Sequence, residues 1–495
     1  MSRERSSRSG PGARTGRTPA GHRIAELRIE RFAAGGDGVG RLPHEPGVTV
    51  RGHLVEGGEV VFVPRTAPGD RVEIAVEPGR PLRGRILRLI EAGPDRISPP
   101  CPHVEACGGC DWMHIAGGAQ QAAHAAIVRA ALERANPRSV VPEVRSHAAT
   151  AQLAYRTRAR LFAQAARGRV RVGYRAAGSR ALAAIEACGV LDPAIAGMVQ
   201  ELPEVLSHAT GDGDLLIGGG AAGRPVVSIT WRGDLAAATY GAIDERVVRG
   251  AWAGARVLLE GATQAATFGD PRAWMVGADG APLVIAEGAF AQTSSAGAAM
   301  LARRVAELSL RGRSRRVVEL FAGSGTLSTA LLQGSESLVA VEVSPEAAAC
   351  ARENLAARSL APSPARQASA PPPAPCAWRV VVADADTFSI PPRTEVVVLD
   401  PPRSGAPGSA RAIAASRAGI VVYVACDPAT LARDVTVLTS AGFSLTDVET
   451  FELFPQTSHE RRWCGSSDRE VEPPPRGRAL LRSSEDDSSG RRSAS

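Results

Sequence analysis

The chain has 495 residues, of which 44% are hydrophobic, and it carries a net charge of +7 with an isoelectric point near 9.3. This length exceeds one compact core and predicts two or three domains plus tails. The positive charge favours a polyanionic partner such as RNA, although a solvated basic surface is the alternative. With neither a long uncharged apolar run nor an apolar leader, we expect no membrane span, no secretory signal and a cytoplasmic location.

The N-terminal region divides into two parts. Residues 1–23 are rich in Ser, Arg, Gly and Pro without apolar periodicity, which predicts a disordered basic arm. Residues 24–90 contain short β-type runs punctuated by Gly and Pro, which predict a small β-barrel; these runs are 48–55, 59–63 and 71–76. Four arginines would give that barrel a cationic face: Arg51, Arg65, Arg83 and Arg85. A barrel that only packs against its neighbour is the alternative.

Residues 91–290 predict a central domain of mixed strands and helices. Within it, Arg156, Arg158 and Arg160 alternate along a strand beside Tyr155, which places the arginines on one face. Such a face could hold phosphates, and a solvated strand face is the open alternative.

Eight cysteines occur at uneven spacing, which is not typical of a secreted disulfide framework. Four of them suit a soft metal centre: Cys101, Cys107, Cys110 and the distant Cys188. Thiolates bind both iron-sulfur clusters and zinc, and the second Cys-x-x-Cys of a zinc ribbon is lacking. Of the other four, Cys350, Cys376 and Cys464 have no evident partners and are taken as bystanders.

Residues 291–460 alternate between helices and apolar strands, which predicts a Rossmann-like parallel sheet with a ligand at its strand ends. The predicted strands are 317–321, 338–342, 379–384, 396–400 and 420–425. The Pro- and Ala-rich stretch 362–375 predicts an exposed loop.

A glycine turn follows the first of these strands. Gly323 and Gly325 permit a tight turn and close approach of a ligand, Thr326 starts the next helix, and Glu342 ends the next strand where it can accept hydrogen bonds from ribose hydroxyls. A dinucleotide site is disfavoured because no third glycine follows at the required position.

Two later strands end in reactive groups. Asp400-Pro-Pro-Arg403 follows one, and Cys426 begins the run Cys-Asp-Pro-Ala-Thr-Leu-Ala-Arg-Asp434 after the next. A cysteine at such a strand end is often inert core, yet its position before Asp427 and a helix favours a reactive thiolate.

With Phe454-Pro-Gln-Thr457 and the four cysteines, these motifs resemble the S-adenosylmethionine-dependent RNA uracil-5-methyltransferases, in particular their iron-sulfur-containing 23S ribosomal RNA branch, from about residue 24 to 459. The resemblance implies an α/β protein with a TRAM-like oligonucleotide-binding barrel, an α+β central RNA-binding domain and a Rossmann-like methyltransferase domain. It implies a four-iron, four-sulfur cluster on the four cysteines. It places the donor pocket at Gln292, Phe321, Thr326, Glu342 and Asp384, with Asp400 contacting donor or uracil. Thr326 and Ser294 stand where the family often has Asn.

The resemblance also implies covalent catalysis. Cys426 would add to C6 of uracil, which makes C5 nucleophilic toward the methyl group, and a carboxylate would then remove the C5 proton. Glu460 is the candidate base, although the family places its Glu one residue further from the His. We expect a monomer that acts on 23S ribosomal RNA. A transfer-RNA methyltransferase and a noncatalytic RNA-binding iron-sulfur protein are the alternatives.

Residues 461–495 form a polar tail where the family has an apolar strand. In one permissible coding of residues 459–467, insertion of one base changes the reading to His-Val-Glu-Thr-Val-Val-Trp-Phe-Glu, which supplies both the displaced Glu and the strand. We therefore hypothesise a frameshift that leaves the base misplaced and a sheet edge exposed. A divergent, disordered terminus is the alternative.

Overall fold

The computed structural model describes residues 23–43, 49–50, 53–54, 58–289, 291–311, 313, 315–359, 376–458 and 462–468. Several predicted features lie outside the described residues: the basic arm up to residue 22, Arg51, the 362–375 stretch, Glu460 and residues 469–495. Among the helices that are described, none combines the length and the apolar character needed to span a membrane.

The predicted N-terminal barrel is confirmed. Its region contains β1 (Arg23–Phe32), β2 (Gly38–Arg41), β3 (Thr49–Val50), β4 (His53–Leu54), β5 (Val60–Val63), β6 (Arg71–Glu77) and β7 (Leu82–Glu91). Five of these close a barrel in the order β1-β2-β5-β7-β6, while β3 and β4, within the part of this region that is described, pair with each other. Alternate residues such as Leu27, Ile29 and Ile74 point inward and are buried, as the period of a strand requires.

The segment after the barrel contains α1 (Gly117–Ala135) and β8 (Val144–His147). Both lie in the range that the sequence assigns to the central domain, but β8 pairs in parallel with a strand of the C-terminal sheet. Val128 and Leu132 of α1 belong to that sheet's hydrophobic core. The C-terminal domain therefore recruits a segment that is distant in sequence, because the apolar face of α1 completes its core.

The central domain is a seven-stranded sheet covered on one face by helices. Its elements are β9 (Arg158–Ala166), β10 (Arg169–Arg175), β11 (Leu182–Ala184), α2 (Pro193–Ala196), α3 (Met198–Val205), β12 (Ala209–Gly219), β13 (Pro225–Leu235), α4 (Ala237–Val248), β14 (Gly254–Leu259) and β15 (Ala266–Gly269). The strand order is β11-β10-β9-β12-β13-β14-β15. Leu161, Ile217 and Trp231 lie in the core between sheet and helices.

The C-terminal domain has the predicted parallel sheet. Its elements are β16 (Ala273–Val276), β17 (Pro282–Ile285), α5 (Ser295–Leu310), β18 (Arg315–Leu320), α6 (Thr326–Leu332), β19 (Ser335–Glu342), α7 (Pro345–Ser359), β20 (Ala377–Val382), β21 (Val396–Leu399), α8 (Pro407–Ala414), β22 (Ile420–Ala425), α9 (Pro428–Ser440), β23 (Ser444–Phe451) and β24 (Arg462–Asp468). The eight-stranded sheet has the order β20-β19-β18-β21-β22-β24-β23-β8, and its first five strands are parallel. Separate hydrophobic clusters cover its two faces.

The strand β24 differs from the expectation of a disordered tail and an exposed edge. It lies between β22 and β23 and is hydrogen-bonded antiparallel to both. A backbone strand thus fills the position where the sequence analysis places the missing strand, since β22 and β23 would otherwise each leave a row of peptide groups unpaired.

A buried ion-pair cluster fixes β8 and β23 to α5. The carboxylate of Glu449, whose side chain is 1% exposed, accepts hydrogen bonds from both Nε and Nη2 of Arg304, with Nη2 at 2.7 Å. The His147 ring lies 2.7 Å from the same carboxylate. Burial by itself raises the pKa of Glu449, but the hydrogen bonds from Arg304 and His147 outweigh it and lower the pKa below 4.5.

We expect Arg304→Ala to lower the free energy of unfolding by about 3 kcal/mol, because it leaves a buried carboxylate without its main cation. Urea denaturation at neutral pH measures this loss. The difference in the free energy of unfolding between parent and variant should shrink as the pH falls below the ordinary carboxyl pKa, since a protonated Glu449 no longer needs the guanidinium. Arg303→Ala, on the same helix but bonded to the carbonyl of Ala278, is the control; equal losses would contradict the prediction.

Candidate active site

The candidate residues meet at one edge of the C-terminal sheet. Parallel strands β20, β19, β18, β21 and β22 are consecutive neighbours, and all of their carboxyl ends point to this edge. The residues that follow them include Asp384, the glycine turn, Asp400 and Cys426, while Glu342 is the last residue of β19. Because neighbouring strands lie about 4.8 Å apart, these groups can contact one extended ligand.

The glycine turn is held by the next strand. The N–H of Gly323 donates to Oε2 of Glu342 at 2.8 Å, and the N–H of Ser344 donates to its Oε1 at 2.9 Å. Gly325 precedes α6 with φ of 88°, a left-handed conformation that favours glycine. Glu342 keeps lone pairs on both oxygens, so it can still accept hydrogen bonds from the hydroxyls of a ligand.

Phe321 opens the same turn with φ of 60°, which is uncommon for a residue with a side chain. Its ring packs on the core that contains Tyr423 and Leu399. Thr326 begins α6 as predicted. The turn therefore places its backbone groups, Phe321 and the start of α6 at the edge of the sheet where the parallel strands end.

Sequence reasoning missed Glu319, an acid in the apolar strand β18. Its side chain is buried beneath the glycine turn, where the hydroxyl of Ser328 donates to its carboxyl. Burial raises the pKa of Glu319 to about 8, against the opposing effect of the Ser328 hydrogen bond. The nearby charges of Asp400 and Glu342 also favour the protonated acid. A charged residue within an otherwise apolar run was the available signal.

We expect Glu319→Gln to flatten the pH dependence of stability. In the parent, the folded state keeps a proton between pH 4.5 and about 8 that the unfolded state releases, so stability falls as the pH rises through that window. The variant lacks this loss, and its thermal midpoint should decline less between those pH values. Glu336→Gln, with a side chain 58% exposed, serves as the control. Parallel pH curves for parent and Glu319→Gln would contradict the prediction.

Cys426 lies between a buried strand and a capped helix. It is partly exposed and follows β22, all six residues of which are buried. The next residue, Asp427, accepts hydrogen bonds at Oδ1 from the N–H groups of Ala429 and Thr430, at 2.9 and 2.8 Å, and so caps α9. The strand fixes the thiol at the sheet edge, and the helix start is a favourable place for its anion.

The loop after Asp400 is fastened to α9. Asp434, buried in that helix, accepts hydrogen bonds from the N–H of Ala406 and the hydroxyl of Tyr423, both at 2.7 Å. The guanidinium of Arg433 donates to the carbonyl of Ser404 at 2.9 Å. These bonds explain why the run after Cys426 ends in Arg-Asp: they hold the loop of Asp400 beside the strand of Cys426.

The remaining predicted pocket residues flank this edge. Gln292 is buried, and Ser294 caps α5 by accepting from the N–H of Gly297 at 3.1 Å. Thr157 of the central domain donates from its N–H to the carbonyl of Thr293 at 2.6 Å. Asp384 follows β20 and accepts from the N–H of Asp386 at 2.9 Å. The central domain thus fixes the segment that carries Gln292.

The four predicted metal-binding cysteines line one pocket. Cys101, Cys107 and Cys110 come from the segment after the barrel, and Cys188 comes from the loop after β11. The N–H of Gly109 donates to Sγ of Cys107 at 3.3 Å. Burial raises the pKa of Cys110 to about 12, and the Arg156 guanidinium opposes that shift. We call this the cysteine pocket. Within the described part of the chain, no three His, Cys, Asp or Glu side chains are grouped to hold a single metal ion.

Comparison with known proteins places the chain. No family model matches it. A protein of Chromohalobacter salexigens named 23S rRNA (uracil(1939)-C(5))-methyltransferase RlmD is 31% identical over 457 residues, which cover 88% of this chain and 87% of that protein. The protein of the same name from Pseudomonas putida is also 31% identical and covers 90% of this chain and 94% of its own length. The chain belongs to the 23S rRNA (uracil-C5)-methyltransferase family.

A solved structure shares the fold of this methyltransferase. It is the Pyrococcus abyssi tRNA (uracil-54, C5)-methyltransferase in complex with S-adenosyl-L-homocysteine, with a TM-score of 0.65 and 19% identity. The similarity covers 90% of this chain and 99% of that chain. The expected α/β architecture of barrel, central domain and Rossmann-like domain is confirmed.

The arginines of the methyltransferase take different positions from one another. Arg160 is exposed and points away from the core, since its neighbours Ala159 and Leu161 are buried, whereas the part-buried Arg158 donates to the carbonyl of Ala289 at 2.9 Å. Arg156 instead lines the cysteine pocket. Arg65 does not join a free cationic face, because it is only 25% exposed, pairs with Glu105 at 3.7 Å and donates to the carbonyl of Cys107.

Proposed function

We propose that this methyltransferase transfers the methyl group of S-adenosylmethionine to C5 of a uridine in 23S ribosomal RNA. The observation that carries the proposal is the placement of Cys426 and Asp400 at the ends of neighbouring strands, beside the glycine turn and Glu342. The curated relatives named for this activity span most of both chains. The test is transfer of labelled methyl to 23S ribosomal RNA, with mapping of 5-methyluridine; absence of transfer would favour a noncatalytic RNA-binding protein.

Chemistry at C5 requires activation of the ring. The thiolate of Cys426 forms a bond to C6, and the electron pair of the C5–C6 double bond moves to give an enolate. C5 of the enolate then takes the methyl group from the sulfonium, which leaves as neutral S-adenosylhomocysteine. A carboxylate removes the C5 proton, and the C6–S bond breaks to restore the double bond and release the thiolate. The target uridine must leave its base stack to reach the site.

The donor pocket is assigned to Gln292, Phe321, Thr326, Glu342 and Asp384, with Asp400 between donor and uracil. Supporting this, the Glu342 carboxylate stands where ribose hydroxyls can donate to it, and a Cβ at Gly323 would meet nothing within 4 Å, so the turn leaves room for a ligand. Burial raises the pKa of Glu319, below the turn, to about 8, which favours a neutral carboxyl there.

Ribosomal RNA is favoured over transfer RNA as substrate. The curated relatives at 31% identity carry the ribosomal name, while the transfer-RNA enzyme is similar at 19% identity and supports the fold only. The outward face of the central sheet carries the exposed Arg160 and Arg175, which can contact RNA phosphates.

The cysteine pocket fits an iron-sulfur cluster. Four thiols from two separate segments line one pocket. Soft thiolate donors are those that iron-sulfur clusters use, and the N–H of Gly109 and the guanidinium of Arg156 can stabilise the negative sulfurs. A four-iron, four-sulfur cluster would be held by Cys101, Cys107, Cys110 and Cys188. The proposed methyl transfer needs no electron, so the cluster would serve structure.

Cys188→Ser should remove most of the iron and acid-labile sulfide from anaerobically purified protein, because one of the four ligands is lost. Absorption of visible light and iron content per chain measure this. Cys376→Ser, at a half-buried cysteine outside the pocket, should retain both. A colourless parent protein with stoichiometric zinc would overturn the assignment.

The base is assigned to the segment after Ser458, with Glu460 as the candidate in this sequence. We also propose that residues from about 460 onward derive from a frameshift. Interior strands of a sheet covered on both faces are usually apolar, yet β24 reads Arg-Trp-Cys-Gly-Ser-Ser-Asp between two hydrogen-bonded neighbours. The shifted reading supplies valines, tryptophan and phenylalanine at these positions.

A further inference from the structure

Helix α7 lies in direct contact with the glycine turn. A Cβ on Gly325 would lie only 3.3 Å from both Cα and Cβ of Ala351, so the turn touches the helix at this position. Ala351, Asn354 and Leu355 belong to the buried face of α7, and the helix follows the strand that ends in Glu342. The buried face of α7 is therefore the surface on which the glycine turn packs.

One polar side chain interrupts that buried face. Asn354 is 2% exposed, and its amide makes hydrogen bonds to the main chain of two other segments. Oδ1 accepts from the N–H of Val284 at 2.9 Å, while Nδ2 donates to the carbonyls of Val284 and Ser324, both at 2.8 Å. Both hydrogens of the amide are thus used, and the N–H and carbonyl of Val284 fix which way the amide faces.

These bonds join the glycine turn to a distant hairpin. Ser324 lies between the two glycines of the turn, and Val284 belongs to β17, the second strand of the β16–β17 hairpin. The hydroxyl of Ser324 adds a direct contact, since it accepts from the N–H of Ala286 at 3.0 Å. Two buried side chains, those of Asn354 and Ser324, therefore hold the turn and the end of the hairpin at one spacing.

The hairpin leads to the other side of the proposed donor pocket. The chain leaves β17 and reaches Gln292 shortly afterwards. On the way, the carboxylate of Glu287 accepts from Arg256 at 2.8 Å and from the hydroxyl of Ser228 at 2.6 Å, both in the central domain. Asn354 thus links the wall of the pocket made by the glycine turn to the start of the segment that carries Gln292.

We propose that Asn354 is a positioning residue for the methyl donor. Its amide sets the distance between the glycine turn and the segment of Gln292, which are two walls of the donor pocket, and it acts on the donor only through these main-chain bonds. The turn needs such support because Phe321 holds φ of 60°, a strained conformation that persists only where neighbouring contacts maintain it. The inference rests on the proposed function.

Three variants test this role. Asn354→Ala removes all the bonds of the amide, Asn354→Asp keeps only the acceptor, and Ser324→Ala removes the direct contact to Ala286. Asn136→Ala is the matched control, because Asn136 is also a buried asparagine whose Nδ2 donates to a main-chain carbonyl, that of Leu132 at 3.3 Å, at the end of α1. Titration calorimetry of the full chain with S-adenosylhomocysteine, without RNA, measures donor-site affinity. Steady-state kinetics give kcat and the KM for donor and for RNA.

We expect Asn354→Ala to raise the dissociation constant for S-adenosylhomocysteine and the KM for S-adenosylmethionine by about tenfold, because it leaves buried main-chain groups without partners. At saturating donor, kcat and the KM for RNA should stay within about threefold of the parent, since Cys426 is held by other bonds. Ser324→Ala should change affinity in the same direction by a smaller factor, and Asn136→Ala should bind as the parent does. A lower thermal midpoint and fewer binding sites, with an unchanged dissociation constant, would show a purely structural role and overturn the proposal.

Asn354→Asp gives a second readout that depends on the hydrogens of Nδ2. An ionised carboxylate at this position faces two carbonyls, whereas the protonated acid can donate one hydrogen bond. The loss of affinity relative to the parent should therefore shrink as the pH falls in Asn354→Asp and stay constant in Asn354→Ala; parallel pH curves for the two variants would contradict the role of Nδ2. If the parent chain does not bind S-adenosylhomocysteine, the proposed function and this inference both fail. If the parent binds it and Asn354→Ala binds it equally well, only the inference fails.

Discussion

Cys426→Ala is expected to lower methyl transfer to uridine by at least about 10⁴-fold, because without the thiolate C5 of uracil is too weak a nucleophile to accept the methyl group. The same change should abolish the covalent complex with 5-fluorouridine RNA. Both are measured with labelled donor and denaturing gels. The thermal midpoint should change little, since Cys426 is a partly exposed residue at a strand end.

Cys376→Ala is the matched control for this prediction. Cys376 is also partly exposed, and burial raises its pKa to about 11, which disfavours a reactive thiolate. Its replacement should leave both methyl transfer and trapping intact. Trapping that persists in Cys426→Ala would show that another group attacks C6.

Replacing residues 460–467 by Val-Glu-Thr-Val-Val-Trp-Phe-Glu should raise turnover by about 100-fold or more. The reason is that a positioned general base raises the rate of proton transfer steps by a factor of about 10² to 10⁴. The replacement moves the carboxylate by one residue and gives β24 an apolar sequence. β24 is paired on both sides, so the thermal midpoint should rise as well. Single-turnover kinetics and thermal denaturation measure the two effects.

A second version of this variant separates the effect of the repositioned carboxylate from the effect of the apolar strand. It carries the same new strand with Gln in place of the Glu at the second replaced position, and it should gain stability without the gain in rate. Equal rates in the original chain and the replaced chain would show that Glu460 works where it stands. A gene sequence incompatible with the shifted reading would end the frameshift proposal.

The strand-end residues could be predicted from the sequence because their signals are local. Apolar runs of buried strands end at recognisable polar residues, so the sequence predicts Glu342, Asp400 and Cys426 at strand ends. The two glycines at the turn after β18 and the proline after Asp427 mark helix starts in the same local manner.

Contacts between distant segments could not be predicted in this way. Asp111 and Ser458 are separated by 347 residues, and β8 joins a sheet whose other strands begin at Arg315. The local sequence around Glu319 does not indicate that its carboxyl is buried below a glycine turn, where burial raises its pKa.

The sequence by itself therefore determined the domain order, the parallel sheet and the residues at its reactive edge, since these follow from periodicity and turn chemistry along short stretches. Only the tertiary structure decided which segments share a core, that Arg156 lines the cysteine pocket, and that Asp111 holds Ser458. The physical reason is that burial and hydrogen bonding between distant segments depend on how the domains pack, and packing is set by the sum of many weak contacts across the whole chain.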